Sequence, residues 1–269
     1  MKTSGFKKWV ISVLLLLILV LTATFFLSKP KSKILKNTDI VAVINGEQVE
    51  MGEFFIILRQ NKSAVFDRFK EFIDKDGSIS DEVFWNNQYN GIKPIDQLKE
   101  VAMQNLIRIK IEQQLARKNG LITEFNYTSF VELWRKENTR RKKAVKNNEA
   151  IYGPMQHLMD SYYNYVYTIM VTELKDKLRK KDFVINPNQI ESYYQQNKKK
   201  YKNFELSGGL LNATSENMGY KPLAEVKDHI VDQYVREQYN KLVEEEIKVS
   251  SVELNHEVYN AIGIELKIE

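Results

Sequence analysis

DIVAVINGEQVEMGEFFIILRQ, residues Asp39 to Gln60, changes its hydrophobic period part-way along. Ile40 to Ile44 is a short apolar run rich in β-branched residues, which predicts a strand. Asn45-Gly46 comes next, a pair suited to a tight turn with positive φ, and Gln48-Val49 reads as a second short strand coming back. From Met51 the period becomes helical: Phe54, Phe55, Leu58, Val65, Phe66 and Phe69 share an apolar face. A hairpin feeding directly into a long helix therefore opens the folded part.

Beyond Gln60 the chain is mostly helical in pattern. Pro94 suits a first helical turn. Leu98, Val101, Ala102, Leu106, Ile109 and Leu115 then keep helical spacing up to the stop signal Asn119-Gly120. Residues 123–150 predict a second amphipathic helix ending in the basic cluster Arg140, Arg141, Lys142 and Lys143, which is either a solvated face or a contact for anionic lipid or wall polymer. Pro154 predicts the start of a third helix, with Met155, Leu158, Met159, Tyr162, Val166 and Ile169 on one face. Tyr163, Tyr165, Tyr167 and Met170 widen that face, so it is either helix-packing core or a groove for varied apolar segments. Asn186-Pro187 with Gln189 is a helix-start signature. Pro222 opens a last long helix through Val226, Ile230, Tyr234 and Leu242. The tail NAIGIELKIE alternates at Ile262, Ile264, Leu266 and Ile268, which predicts a strand able to pair with Ile40–Ile44.

The N-terminus carries lysines at positions 2, 7 and 8 and then an uncharged run from Trp9 to Ser28. That run has the length of the roughly 20 residues a helix needs to cross a bilayer, longer than a cleavable signal core, so an uncleaved signal-anchor is expected. Lys29, Lys31, Lys33 and Lys36 lie after the span, so charge counting does not settle orientation. The chain has no Cys, which removes disulfides, thiol nucleophiles and Cys-bound zinc. Its net charge of +5 is dispersed among acidic residues, which argues against nucleic acid as a partner.

Signals for catalysis are weak. The three histidines, His157, His229 and His256, are never spaced as a helical metal pair. Asp74-Lys-Asp-Gly77 looks like part of a calcium loop, but with Gly77 at loop position six the first and last ligand positions fall on Phe72 and Val83. No phosphate loop, dinucleotide fingerprint or nucleophile elbow is present, and Ser207-Gly-Gly209 lacks the residues that would make it a phosphate cradle. No catalytic residue, metal or cofactor is expected.

Four stretches in order carry a resemblance. VAVINGEQVEMGEFF (41–55) resembles the opening of the SurA-like chaperone domain, shared by PrsA-like foldases. LIRIKIEQQLARKNGLI (106–122) is similar to that family's helix of the form LI-x-x-K-L-x-x-x-x-A-x-K-x-G-I. INPNQIESYYQQNKKKYKNF (185–204) resembles the segment that leads into the family's parvulin prolyl-isomerase domain, and KPLAEVKDHI (221–230) the helix on its far side. The family places a whole parvulin domain between the last two, where this chain has only the Gly-containing stretch after Tyr201, without His or Cys. PrsA-like proteins are usually anchored through a lipidated Cys, which this chain lacks.

The resemblance implies a mainly α protein: a SurA/PrsA-like chaperone lobe with a small antiparallel sheet joining N- and C-terminal strands. The expected divisions are a basic N-terminus (1–8), a transmembrane signal-anchor (9–28), a tether (29–38), the N-lobe (39–204), a linker in place of the parvulin domain (205–221), and a C-terminal helix and strand completing the lobe (222–269). The expected role is binding of unfolded or exported polypeptides outside the cytoplasm of a bacterial cell, without isomerase activity, from a single-pass membrane anchor in contact with lipid. Phe54, Phe55, Met155, Met159, Tyr162, Tyr163 and Tyr165 are the candidate client contacts. A dedicated scaffold for one membrane or wall partner and a residual isomerase are the alternatives, and a homodimer is left open.

Overall fold

A computed structural model describes residues 35–73, 81–202 and 219–263. The expected span at Trp9–Ser28, the calcium-like turn, most of the linker and residues 264–269 of the tail lie outside them. Among the described residues no helix is long and apolar enough to cross a membrane.

The hairpin forms as its turn chemistry demands. Strand β1 (Ile40–Ile44) pairs antiparallel with β2 (Glu47–Glu50), and the two linking residues Asn45 and Gly46 have φ of 50° and 79°. Both positive values match a two-residue turn whose twist suits the flanking strands. Helix α1 (Met51–Phe69) continues from β2 without a break, and its first amides are capped by the chain before the sheet: Met51 N donates to the Asp39 carbonyl at 2.7 Å and Gly52 N to that of Asn37 at 2.9 Å. Leu35 is already in the core, so the fold begins inside the expected tether.

A short helix α2 (Asp81–Asn86) leads to α3 (Pro94–Lys118), α4 (Tyr127–Lys146), α5 (Met159–Lys181), α6 (Pro187–Asn197), α7 (Leu223–Val249), strand β3 (Val252–Leu254) and a short α8 (His256–Asn260). Asn126 and Asn186 each close a capping box, with Ser129 and Gln189 respectively, so the starts of α4 and α6 are set locally. Three hydrophobic clusters hold these elements. The first packs the sheet, α1, α2, the first half of α3, α4 and the start of α5. The second joins the later halves of α3, α5 and α7, around Leu115, Leu174 and Val243. The third seals α6 to the start of α7 through Ile190, Tyr194, Tyr201 and Ile230.

Two sequence expectations are corrected. The strand that pairs with β1 is Val252–Leu254, in the sheet order β2-β1-β3, and not the alternating tail. Asn45 fixes this register: its side chain accepts from Ser251 N at 2.8 Å, and its own N–H donates to the Ser251 carbonyl at 3.0 Å. With the β1 edge occupied, Ile262 is buried beyond the end of α8 instead of lying in a strand. Nor does Pro154 open a helix. The chain stays irregular to Leu158, and α5 begins at Met159.

Gly52 lies within α1, where glycine is disfavoured by about 0.5–1 kcal/mol relative to alanine. A Cβ there would sit 2.3 Å from the ring of Tyr127 on α4, so the glycine is what lets the two helices meet. Gly52→Ala is therefore expected to lower stability by about 1–3 kcal/mol through overpacking. Adding Tyr127→Leu should recover part of that loss in thermal unfolding. Additive losses in the double variant would show that the contact is not the cause.

Candidate polypeptide-binding surface

Helix α4 ends at Lys146, Asn148 takes a φ of 58°, and the chain turns back to run over the same helix as a strap, residues 150–158. Side chains spaced three to four residues apart on α4 face that strap. Arg141, buried, donates through Nη1 to the carbonyls of Tyr152 at 2.9 Å and Pro154 at 2.8 Å. Asn138 accepts from His157 N at 2.8 Å and donates to its carbonyl at 3.1 Å, which Trp134 Nε1 also reaches at 2.8 Å. Side chains of α4 thus pin the strap through the carbonyls of Tyr152, Pro154 and His157 and through His157 N.

Its apolar side chains are not covered. Tyr152 is 94% exposed, Leu158 76% and Met155 65%, with Tyr165 and Ile169 exposed on the adjoining face of α5. His157 stacks on Tyr165 and packs against Tyr162. Burial, helped by the Arg141 cation, pushes its imidazole below the usual value and favours the neutral form. Beside the strap runs a groove of about 460 Å³, with Trp134, Leu158 and Met159 for apolar walls and Arg135 and Lys142 on its α4 side.

Glu137 anchors the charges beneath the strap, accepting from Arg140 at 2.7 and 2.8 Å and from Arg141 at 2.8 Å. The hydrogen bonds from Arg140, joined by those from Arg141, outweigh burial and hold its carboxyl at about 2. A depressed value means that this stabilisation is complete above the ordinary 4.5 and fades as pH falls through about 2. Pepsin cleavage within residues 151–158 is therefore expected to rise between these two values in the native protein. In Glu137→Gln it should already be high and change less with pH. Identical profiles for the two proteins would rule Glu137 out as the latch.

Of the seven candidate contacts, Phe54, Phe55, Tyr162 and Tyr163 are interior residues of the first cluster, out of reach of a client unless the core opens. Met159 is half-buried, with Tyr127 Oη at 3.7 Å from its Sδ. Met155 and Tyr165 are exposed. Pro154 suits a helix start in isolation and so conceals the strap, whereas Gly153-Pro154 is a turn dipeptide that signals it. Tyr152, Trp134 and Arg135 carry no pattern that marks them as groove residues, and Lys142 is marked only as a member of the basic cluster.

Elsewhere, His229 meets Tyr201 edge-on, and no group of three His, Cys, Asp or Glu residues able to hold a metal occurs among the described residues. Where the chain leaves and re-enters the described structure, Lys202 and Tyr220 form an antiparallel bridge, and Lys221 N donates to the Tyr201 carbonyl at 2.8 Å. The two ends of the intervening segment are held side by side.

The likeness in the sequence has a named counterpart. The chain is similar to a PrsA foldase. It is 23% identical over 191 residues to "Foldase protein PrsA" of Caldanaerobacter subterraneus subsp. tengcongensis, covering 71% of this chain and 53% of that protein. It thus spans about half the length of this relative. No family model and no solved structure matches.

Proposed function

We propose that this protein is a chaperone-like, foldase-related polypeptide-binding protein that holds unfolded or newly exported chains without isomerising their prolines. The observation that carries the reading is the strap: a segment pinned to α4 at Tyr152, Pro154 and His157 that leaves Tyr152, Met155 and Leu158 in water, with exposed Tyr165 stacked on its His157. Contiguous exposed apolar surface marks interaction sites. Reversible burial of a client side chain there is worth about 1.5–3 kcal/mol for each large residue covered, and needs no nucleotide or cofactor. The name of the PrsA relative supports a role in folding.

The absence of isomerase chemistry rests on the sequence between the bridged ends. Residues 203–219 contain neither His nor Cys, and the parvulin domain of the resembled family would have to lie there. The uncharged run at Trp9–Ser28 supports attachment to a membrane, and the PrsA-like resemblance supports a lobe outside the cytoplasm.

The full-length protein is expected to delay aggregation of a chemically unfolded client. Met155→Ser with Leu158→Ser should weaken that effect about tenfold or more while leaving stability within about 0.5 kcal/mol, as exposed positions do. A double variant that holds clients as well as the parent removes the strap from the reading. Acceleration of proline-peptide isomerisation above the spontaneous rate defeats the non-catalytic part. Recovery of one stoichiometric membrane partner, with no hold on unfolded clients, favours the scaffold alternative.

A further inference from the structure

The groove beside the strap has a charge imbalance. Carboxylates close to it are already engaged: Glu137 by Arg140 and Arg141, and Asp160, next to Met159, by Arg59 at 2.5 and 2.7 Å. The basic cluster read from the sequence is therefore split, with two arginines consumed internally. Arg135 and Lys142, exposed at the groove, make no ion pair among the described residues. No acidic residue lines the groove, and its apolar walls are Trp134, Leu158 and Met159.

We infer that this groove selects polypeptide segments in which an apolar or aromatic residue is flanked by Asp or Glu. Resting on the polypeptide-binding reading above, this adds the class of segment bound. An apolar side chain fills the space against Trp134 and Leu158, while flanking carboxylates meet Arg135 and Lys142. Both cations sit on α4 at positions seven apart, two helical turns or about 10 Å along one side of the helix. Carboxylates a few residues apart on an extended segment span that distance. The groove exists before binding, because Arg141, Asn138 and Trp134 fix the strap, so little ordering cost falls on the protein. The carbonyls of Tyr152, Pro154 and His157 are already bonded to α4, which leaves recognition in the groove to its side chains. A purely basic surface for lipid headgroups would not need the apolar walls.

The test uses the full-length protein and three labelled peptides with one aromatic-aliphatic centre, flanked by Glu, by Gln or by Lys. Fluorescence anisotropy is expected to rank them Glu over Gln over Lys. The Glu peptide should bind about threefold to tenfold tighter than the Gln peptide, the range two partly exposed ion pairs support. The gap should shrink at about 0.5 M salt. Arg135→Gln with Lys142→Gln should erase the ranking. Equal binding of all three peptides overturns the selectivity and leaves polypeptide binding intact; no binding of any removes both. Binding to phosphatidylglycerol vesicles that depends on Arg135 and Lys142, with no ranking among peptides, overturns the proposal in favour of a lipid contact.

Discussion

Lys110→Met is expected to cost about 3–5 kcal/mol of folding stability, although the change removes a charge and adds an apolar group. Lys110 on α3 and Glu53 on α1 are both buried, with Nζ 2.5 Å from Oε2. Tyr163 on α5 donates to the other carboxylate oxygen at 2.6 Å. Burial, then the charge of Glu53, pushes the Tyr163 hydroxyl well above its ordinary value, so it stays a donor. Removing Lys110 strands a carboxylate in the main core, and that stranding, more than the lost attraction, sets the penalty. Replacing the whole group, Glu53→Leu with Lys110→Met and Tyr163→Phe, should therefore be less damaging than the single change. Urea midpoints at constant slope decide the matter. A single variant within about 1 kcal/mol of the parent, or a triple variant worse than the single, would count against the buried charge as the cause.

The same group shows where sequence reading stops. The hairpin turn at Asn45-Gly46 and the cap at Asn186 are legible because each is closed by residues no more than three or four apart. No local pattern marks Glu53 and Lys110 as interior. They are interior because α1, α3 and α5 close around them, a contact that brings Tyr163 to a residue 110 positions earlier. Aromatic residues of α1 and α5 read as client contacts for the matching reason: helices covered on several sides have wide apolar faces that resemble binding surfaces in one dimension. The strap was hidden by a proline that is a good helix-starting residue in isolation, whereas Arg141 pulls the carbonyls of Tyr152 and Pro154 into side-chain hydrogen bonds.

A second buried carboxylate controls how the C-terminal part is held. Glu112 on α3 accepts from Tyr239 of α7 at 3.0 Å and from Tyr167 of α5, and Arg108 Nε lies 3.4 Å from it. Arg108 extends to Asn240 at 3.0 Å and Glu244 at 3.3 Å, both on α7. Burial and the charge of Glu112 raise both tyrosine hydroxyls above their ordinary value, keeping them protonated donors. Glu112→Leu removes the shared acceptor and strands the hydroxyls of Tyr167 and Tyr239, while Arg108 keeps Asn240 and Glu244, an expected loss of about 2–5 kcal/mol at about 1–3 for each stranded hydroxyl. Glu112→Gln retains an acceptor and should lose about 1–2 kcal/mol. The loss should also be uneven along the chain. Helix α7 delivers β3 to the edge of β1, while the β1–β2 hairpin and α1 belong to the first cluster and do not depend on Glu112. Hydrogen exchange in Glu112→Leu is accordingly expected to quicken first in α7 and Val252–Leu254, with β1, β2 and α1 still protected. Uncovering β1 also frees a strand edge, so this variant should self-associate on warming at temperatures where Lys110→Met, which fails as a unit, has not yet done so. Uniform acceleration along the chain would mean that Glu112 serves the whole fold and not the docking of its returning helix.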